Sequence, residues 1–87
     1  MATGTGEIPV GRVTHYYSHL DVAIIELTEG DLKVEDTIPI KGKHTDFIQT
    51  VDSMRIEHQN VSHTDKDNLV AVLVREKVRE HDQVFKV

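Results

Sequence analysis

The sequence predicts an all-β protein, a single closed β-barrel of six or seven short strands. Three observations carry this reading. Apolar residues alternate with polar ones over short runs, as at Ala23, Ile25 and Leu27, the period of a strand with one covered face. Gly and Asp turns interrupt these runs at short intervals, a spacing that points to a closed barrel rather than an open sheet. No segment is convincingly amphipathic at the helical period. The 69–78 run is the one contender, and its Val70, Val72, Val74 and Val78 are β-branched residues that favour strands.

The small, polar start, residues 1–7, is expected to be a flexible N-terminus. Residues 8–87 are expected to form one domain with no linker. Ile8 to Tyr17 reads as the first strand, with Gly11 marking a bulge or a close backbone approach. Ser18-His19-Leu20 is a hairpin-length connection to a second strand, Asp21 to Thr28. After the break at Glu29-Gly30-Asp31, Leu32 and Val34 are placed as plugs in the barrel mouth. Asp36 to Lys41 is a short strand with Ile38 and Ile40 inward; its Pro39 cannot donate to a ladder and must take an edge or non-bonded position.

Gly42-Lys43-His44 is the next turn. Thr45 to His58 is long for one strand and changes phase. Phe47 and Val51 fit one face and Met54 and Ile56 the other, so a bulge or bend is expected near Asp52-Ser53. Asn60 to Lys66 is polar apart from Val61. Asn68 to Glu76 is apolar on both parities, the pattern of a central strand covered on both faces. Val78 to Asp82 forms a turn and Val84 to Val87 closes the chain. The core is predicted to hold Ala23, Ile25, Leu27, Ile38, Ile40, Val51, Val70, Val72 and Val74.

The chain has 87 residues, 38% hydrophobic and 29% charged. A chain of that length buries roughly 60–65% of its unfolded surface, enough for one modest core. The absence of cysteine excludes disulfide staples, thiolate catalysis and thiolate zinc sites. Fifteen acids against ten Lys plus Arg give a formal charge of −5. The overall cationic field that drives nonspecific nucleic-acid binding is therefore missing, and only a local basic rim could supply it. No apolar run approaches the roughly 20 residues that span a bilayer. The start, Met1 to Gly6, has neither the basic nor the apolar region of a signal peptide. A cytoplasmic, monomeric protein without a membrane partner is the expectation.

Four stretches keep a recognisable order: Gly11-Arg12-Val13, Glu29 through Ile38, Val51-Asp52-Ser53-Met54, and Asp67-Asn68-Leu69-Val70-Ala71-Val72. In this order they resemble the second domain of translational GTPases, the barrel that follows the nucleotide-binding domain in elongation factor Tu and its relatives. Glu35, Lys66, Val70 and His81 stand where that family has glycine, so different turn types are expected. The resemblance implies the translation-factor domain-2 fold and an RNA or ribonucleoprotein partner, because the family's barrel helps hold the aminoacyl end of tRNA and touches the small ribosomal subunit. Asn68 matches the Asn of a stretch that lines the aminoacyl pocket, and Arg55 stands where that family has an acidic residue nearby.

A second resemblance rests on Asp46-Phe47-x-Gln49-Thr50-Val51. That stretch is similar to one in the C-terminal barrel of bacterial collagenase-like peptidases. It implies an accessory or protein-interaction barrel that carries no peptidase chemistry and acts with a separate enzyme.

No chemistry of its own is expected from the chain. A GTPase needs GxxxxGK[ST] between strand and helix, but Gly42-Lys43 is followed by His44 and lacks the upstream Gly. Neither nucleotide nor any other cofactor is therefore anticipated. The histidines, His15, His19, His44, His58, His63 and His81, show no metal-ligand spacing. Asp65 and Asp67, or Glu26 and Glu29, lie in polar surroundings that would not raise a carboxyl pKa. Ser18, Ser53 and Ser62 lack a nucleophile-elbow context.

Binding is assigned to Lys41 and Lys43, which flank one turn, to Arg75 and Lys77, which lead into another, and to Arg55 and Asn68. The leading reading is a non-catalytic barrel that binds RNA through phosphate contacts. The alternative is the accessory barrel.

Overall fold

The alternation read from the sequence folds into ten strands. In chain order they are β1 (Ile8–Tyr17), β2 (Val22–Leu27), β3 (Leu32–Lys33), β4 (Thr37–Lys41), β5 (Asp46–Thr50), β6 (Met54–Ile56), β7 (Gln59–Val61), β8 (His63–Thr64), β9 (Leu69–Leu73) and β10 (Gln83–Lys86). The structure is a computed structural model that describes residues 7–87. The expected flexible N-terminus therefore lies, apart from Glu7, outside the described residues. No helix among the described residues is long and apolar enough to cross a membrane.

The all-β expectation is met, but the closed barrel is not. Eight strands form one antiparallel sheet in the order β5-β4-β10-β1-β2-β9-β6-β7, and β3 pairs with β8 as a separate two-stranded piece. No ladder joins β5 to β7, so the sheet is an open half-barrel. The reason lies in the Thr45–His58 segment. Its phase change is not a bulge within one strand. The chain forms no strand over Val51–Ser53, although Val51 still bonds the backbone of Glu35 and Asp36. It passes from β5, whose partner is β4, to β6, whose partners are β9 and β7. Consecutive strands thus fall on opposite sides of the sheet, β5 at one edge and β6 next to the other, and no ladder joins them.

The first strand follows the glycine signal. Its register with β10 shifts between Pro9 and Gly11, and its register with β2 shifts between Val13 and His15. A Cβ on Gly11 would overlap the Glu26 carbonyl, so only glycine permits this close approach. Pro39 lies just beyond the short β4–β10 ladder, which ends at Ile40 paired with Val84, so its missing N–H costs no ladder bond there.

All nine predicted core residues are buried, joined by Val10, Val13, Leu32, Met54, Val78 and Val84. One expectation about coverage fails. On β9 only Val70 and Val72 are buried, while Leu69 and Leu73 are 57% and 42% exposed. The strand is covered on one face, not two.

The turns are corrected as well. Glu35 and His81 take a glycine-like backbone, with φ of 80° and 77°. At the third turn Asp67 takes the left-handed conformation, with φ of 75°, and Lys66 does not.

Candidate functional site

Four of the six sequence-assigned binding residues have partners for their side chains, and two line one depression. The Lys41 Nζ donates to Glu7 Oε1 at 2.9 Å and lies 5.9 Å from the Phe85 ring centre. The hydrogen bond to Glu7 raises the Lys41 pKa. The Arg75 guanidinium pairs with Asp52 at 3.3 Å. Arg55 Nε donates to the Asn60 side chain at 3.0 Å. Asn68 Nδ2 donates to the Asp65 carbonyl at 3.1 Å, the work of a turn residue bonding local backbone. Only Lys43 and Lys77 line a common depression, and Asp46 and Glu76 share its walls. Acids interleave with the basic rim in space as they do in sequence.

Sequence reasoning missed Gln49. It sits on β5 at an inward position, only 2% exposed. Its Nε2 donates to the Leu73 carbonyl at 2.9 Å, and its Oε1 accepts from the Arg75 backbone N–H at 2.8 Å. One amide side chain thus ties β5 to the backbone at the end of β9, a seam that no ladder spans. The signal was present: Phe47 and Val51 share a face, so period two places Gln49 between them on that face.

A charged cluster ties the two-stranded piece to the main sheet. Lys86 Nζ reaches Asp31 Oδ1 at 2.8 Å, and His63 Nε2 lies 2.9 Å from Asp31 Oδ2 and 3.7 Å from Asp65. The Lys86 hydrogen bond, and then that of His63, hold the Asp31 carboxyl well below the usual carboxylate range. Among the described residues, no three His, Asp or Glu side chains are grouped so as to hold a metal ion.

An apolar depression includes the face of β9 that the sequence pattern had placed in the interior. On the face opposite the core, β2 and β9 align Val22 with Leu73, Ile24 with Ala71 and Glu26 with Leu69. Tyr17 of β1 extends the row beside Val22, and Arg55 of β6 borders it beside Ala71. Tyr17, Leu20, Leu69 and Leu73, four of the seven large exposed hydrophobics among the described residues, line this depression.

Its border is polar. Arg12 pairs with Glu26 at 3.2 Å, and Glu57 and His58 stand at the far edge. Glu57 and His58 are also the two-residue loop of the β6–β7 hairpin, with φ of 49° and 71°. Two consecutive left-handed residues make a turn that normally takes Asn-Gly.

No protein-family model matches the chain. An uncharacterized protease of Methanocaldococcus jannaschii is 42% identical over 80 residues, 91% of this chain and 19% of that protein. A collagenase of Porphyromonas gingivalis is 37% identical over 81 residues, 92% of this chain and 20% of that one. The chain therefore spans about a fifth of the length of the curated relatives it matches.

Among solved structures, the C-terminal domain of a Geobacillus thermoleovorans protein described as a U32 peptidase superposes with a TM-score of 0.83. The match covers 100% of this chain and 99% of that one at 16% identity. A selenomethionine variant of the same domain gives 0.81 over 87% and 95%, at 14% identity. These matches support the collagenase-like resemblance and not the translation-factor one. The chain has the fold of that C-terminal peptidase domain.

Proposed function

We propose that this chain is an accessory β-domain of the collagenase-like peptidases, without peptidase chemistry of its own, that acts through protein contact with the catalytic part of such an enzyme. The observation that carries this is the 42% identity to a protease across 91% of the chain. The shared fold with a separately crystallised C-terminal domain adds to it. The polar clusters of the described residues are surface arrangements: His63 and Asp31 are each 48% exposed. Lys86 and His63 push the Asp31 carboxyl down, away from the near-neutral range in which a general acid or base works. The RNA reading has weaker support, since Lys41 and Arg75 are engaged by Glu7 and Asp52 and the net charge is −5.

The test is a replacement. This chain is spliced into the Porphyromonas collagenase in place of its matched 81 residues. Hydrolysis of denatured collagen is then compared among the parent, the chimera, a deletion and the 87-residue chain alone. The chimera is expected to recover activity that the deletion loses, and the chain alone to release no peptide. Cleavage by the isolated chain, or a chimera no better than the deletion, would overturn the proposal.

A further inference from the structure

We propose that the outer face of β2 and β9 is the surface by which this domain seats on the peptidase body, an inference that rests on the accessory-domain reading. The first support is compositional. An antiparallel sheet with one solvated face carries polar residues there, as Arg12 on β1 and Thr37 and Lys41 on β4 do here, all exposed. The row Val22, Ile24, Leu69 and Leu73 departs from that rule over two adjacent strands. Leu69 and Leu73 are encoded as if buried and left bare by the domain's own chain. Contiguous apolar patches with polar borders mark contact surfaces.

The second support is strain at the border. Glu57 and His58 hold left-handed backbone at the edge of this face. Asn-Gly would relieve that strain. Six non-glycine residues have positive φ among the described residues, and only Glu57 and His58 are consecutive. A carboxylate and an imidazole beside an apolar floor form the polar half of an interface whose centre is dry.

Area selects the occupant. Four strands at about 4.8 Å spacing and five residues at about 3.4 Å rise give a footprint of roughly 300 Å² per side. A symmetric pair of such faces would bury roughly 600 Å² in total, about half of what a stable free complex requires. That area falls at the lower end for domains packed within one polypeptide, where tethering supplies the effective concentration. The relatives bring the tether: four-fifths of their length lies outside the part this chain matches. The occupant is therefore an aliphatic surface of that body, with donors positioned to meet Glu57, and not a second copy of the domain.

Hydroxyl-radical footprinting tests this on the collagenase chimera against the isolated 87-residue chain. Oxidation of Tyr17, Leu69 and Leu73 is expected to fall several-fold in the chimera. Ile48, 60% exposed and outside this face, is expected to keep its rate. A chimera with Leu69→Ser and Leu73→Ser should lose the protection of Tyr17. Equal oxidation of Leu69 and Leu73 in both contexts overturns the proposal. If Ile48 is protected instead, the domain docks by another face and the accessory reading stands. If no residue is protected, both fall.

Sedimentation of the isolated chain gives an independent check that needs no chimera. A monomer at high concentration is expected. A dimer that the Leu69→Ser, Leu73→Ser pair abolishes would assign the face to self-association and overturn the proposal.

Discussion

Val70 and Val72 on β9 are sealed in the core, while Leu69 and Leu73 on the same strand are 57% and 42% exposed. The four residues are equally apolar. What separates them is the company of the rest of the chain: one face of β9 meets the wall of a half-barrel, and the other is left about half open by the described residues. Alternation says which residues share a face, and it does not say whether anything covers that face.

The contrast can be broken at its inner side first. Ile25, fully buried opposite Val70 in the β2–β9 ladder, should lose about 3–4 kcal/mol on replacement by Ala, read from urea unfolding. Gln49→Leu should come next. It keeps the apolar bulk but strands the Leu73 carbonyl and the Arg75 N–H at the seam. A loss of about 2–3 kcal/mol is expected, since buried polar groups without partners carry their full desolvation cost. If Gln49→Leu unfolds at the wild-type midpoint, the seam is held by packing alone.

Changing Glu57-His58 to Asn-Gly acts in the other direction. It relieves two left-handed backbones and should stabilise the isolated chain by about 1–2 kcal/mol, visible as a rise in thermal midpoint.

The ion cluster gives a smaller, pH-dependent effect. Asp31 is held ionised by Lys86 and His63, so its folded-state pKa lies below its unfolded one. The stability this contributes is complete above the unfolded value of about 3.9 and is lost as pH falls through the folded one. The difference in urea midpoint between wild type and Asp31→Asn should therefore stay constant from neutral pH down to about 4 and shrink below it. A difference that already declines between pH 7 and 5 would show that another group controls it.

At the outer side the smallest effect is expected. Leu69→Ser with Leu73→Ser should shift the stability of the isolated chain by no more than about 0.5 kcal/mol. A loss of several kcal/mol would mean that the outer leucines belong to the core after all.

Much of the fold was legible because strand parity is a local property. Ala23, Ile25 and Leu27, and then Ile38 and Ile40, could be assigned inward from their own neighbours, and all are buried. The Gly11 irregularity was readable for the same reason. The closed barrel was not, because closure depends on which strands become neighbours, and the break at Val51–Ser53 separates β5, at one edge of the sheet, from the β6–β7 hairpin at the other.

The binding residues were the least legible. Charge in sequence does not reveal a partner such as Glu7 for Lys41, which comes from 34 residues away. Gln49 was hidden for a related reason. A polar residue at an inward position looks like an exception until its two backbone partners, 24 and 26 residues distant, are known.

The pairing of β1 with β10 has one more consequence. Ile8 stands opposite Lys86 in that ladder, so the first and last strands run side by side near the middle of the sheet. A few flexible residues could join them, and new ends could be opened at the exposed Glu57-His58 turn with every ladder retained. Such a circular permutant should fold to the same half-barrel. This geometry places entry and exit at one point. It can then be attached at either end, or set into a surface loop of a host, without its strands being pulled apart.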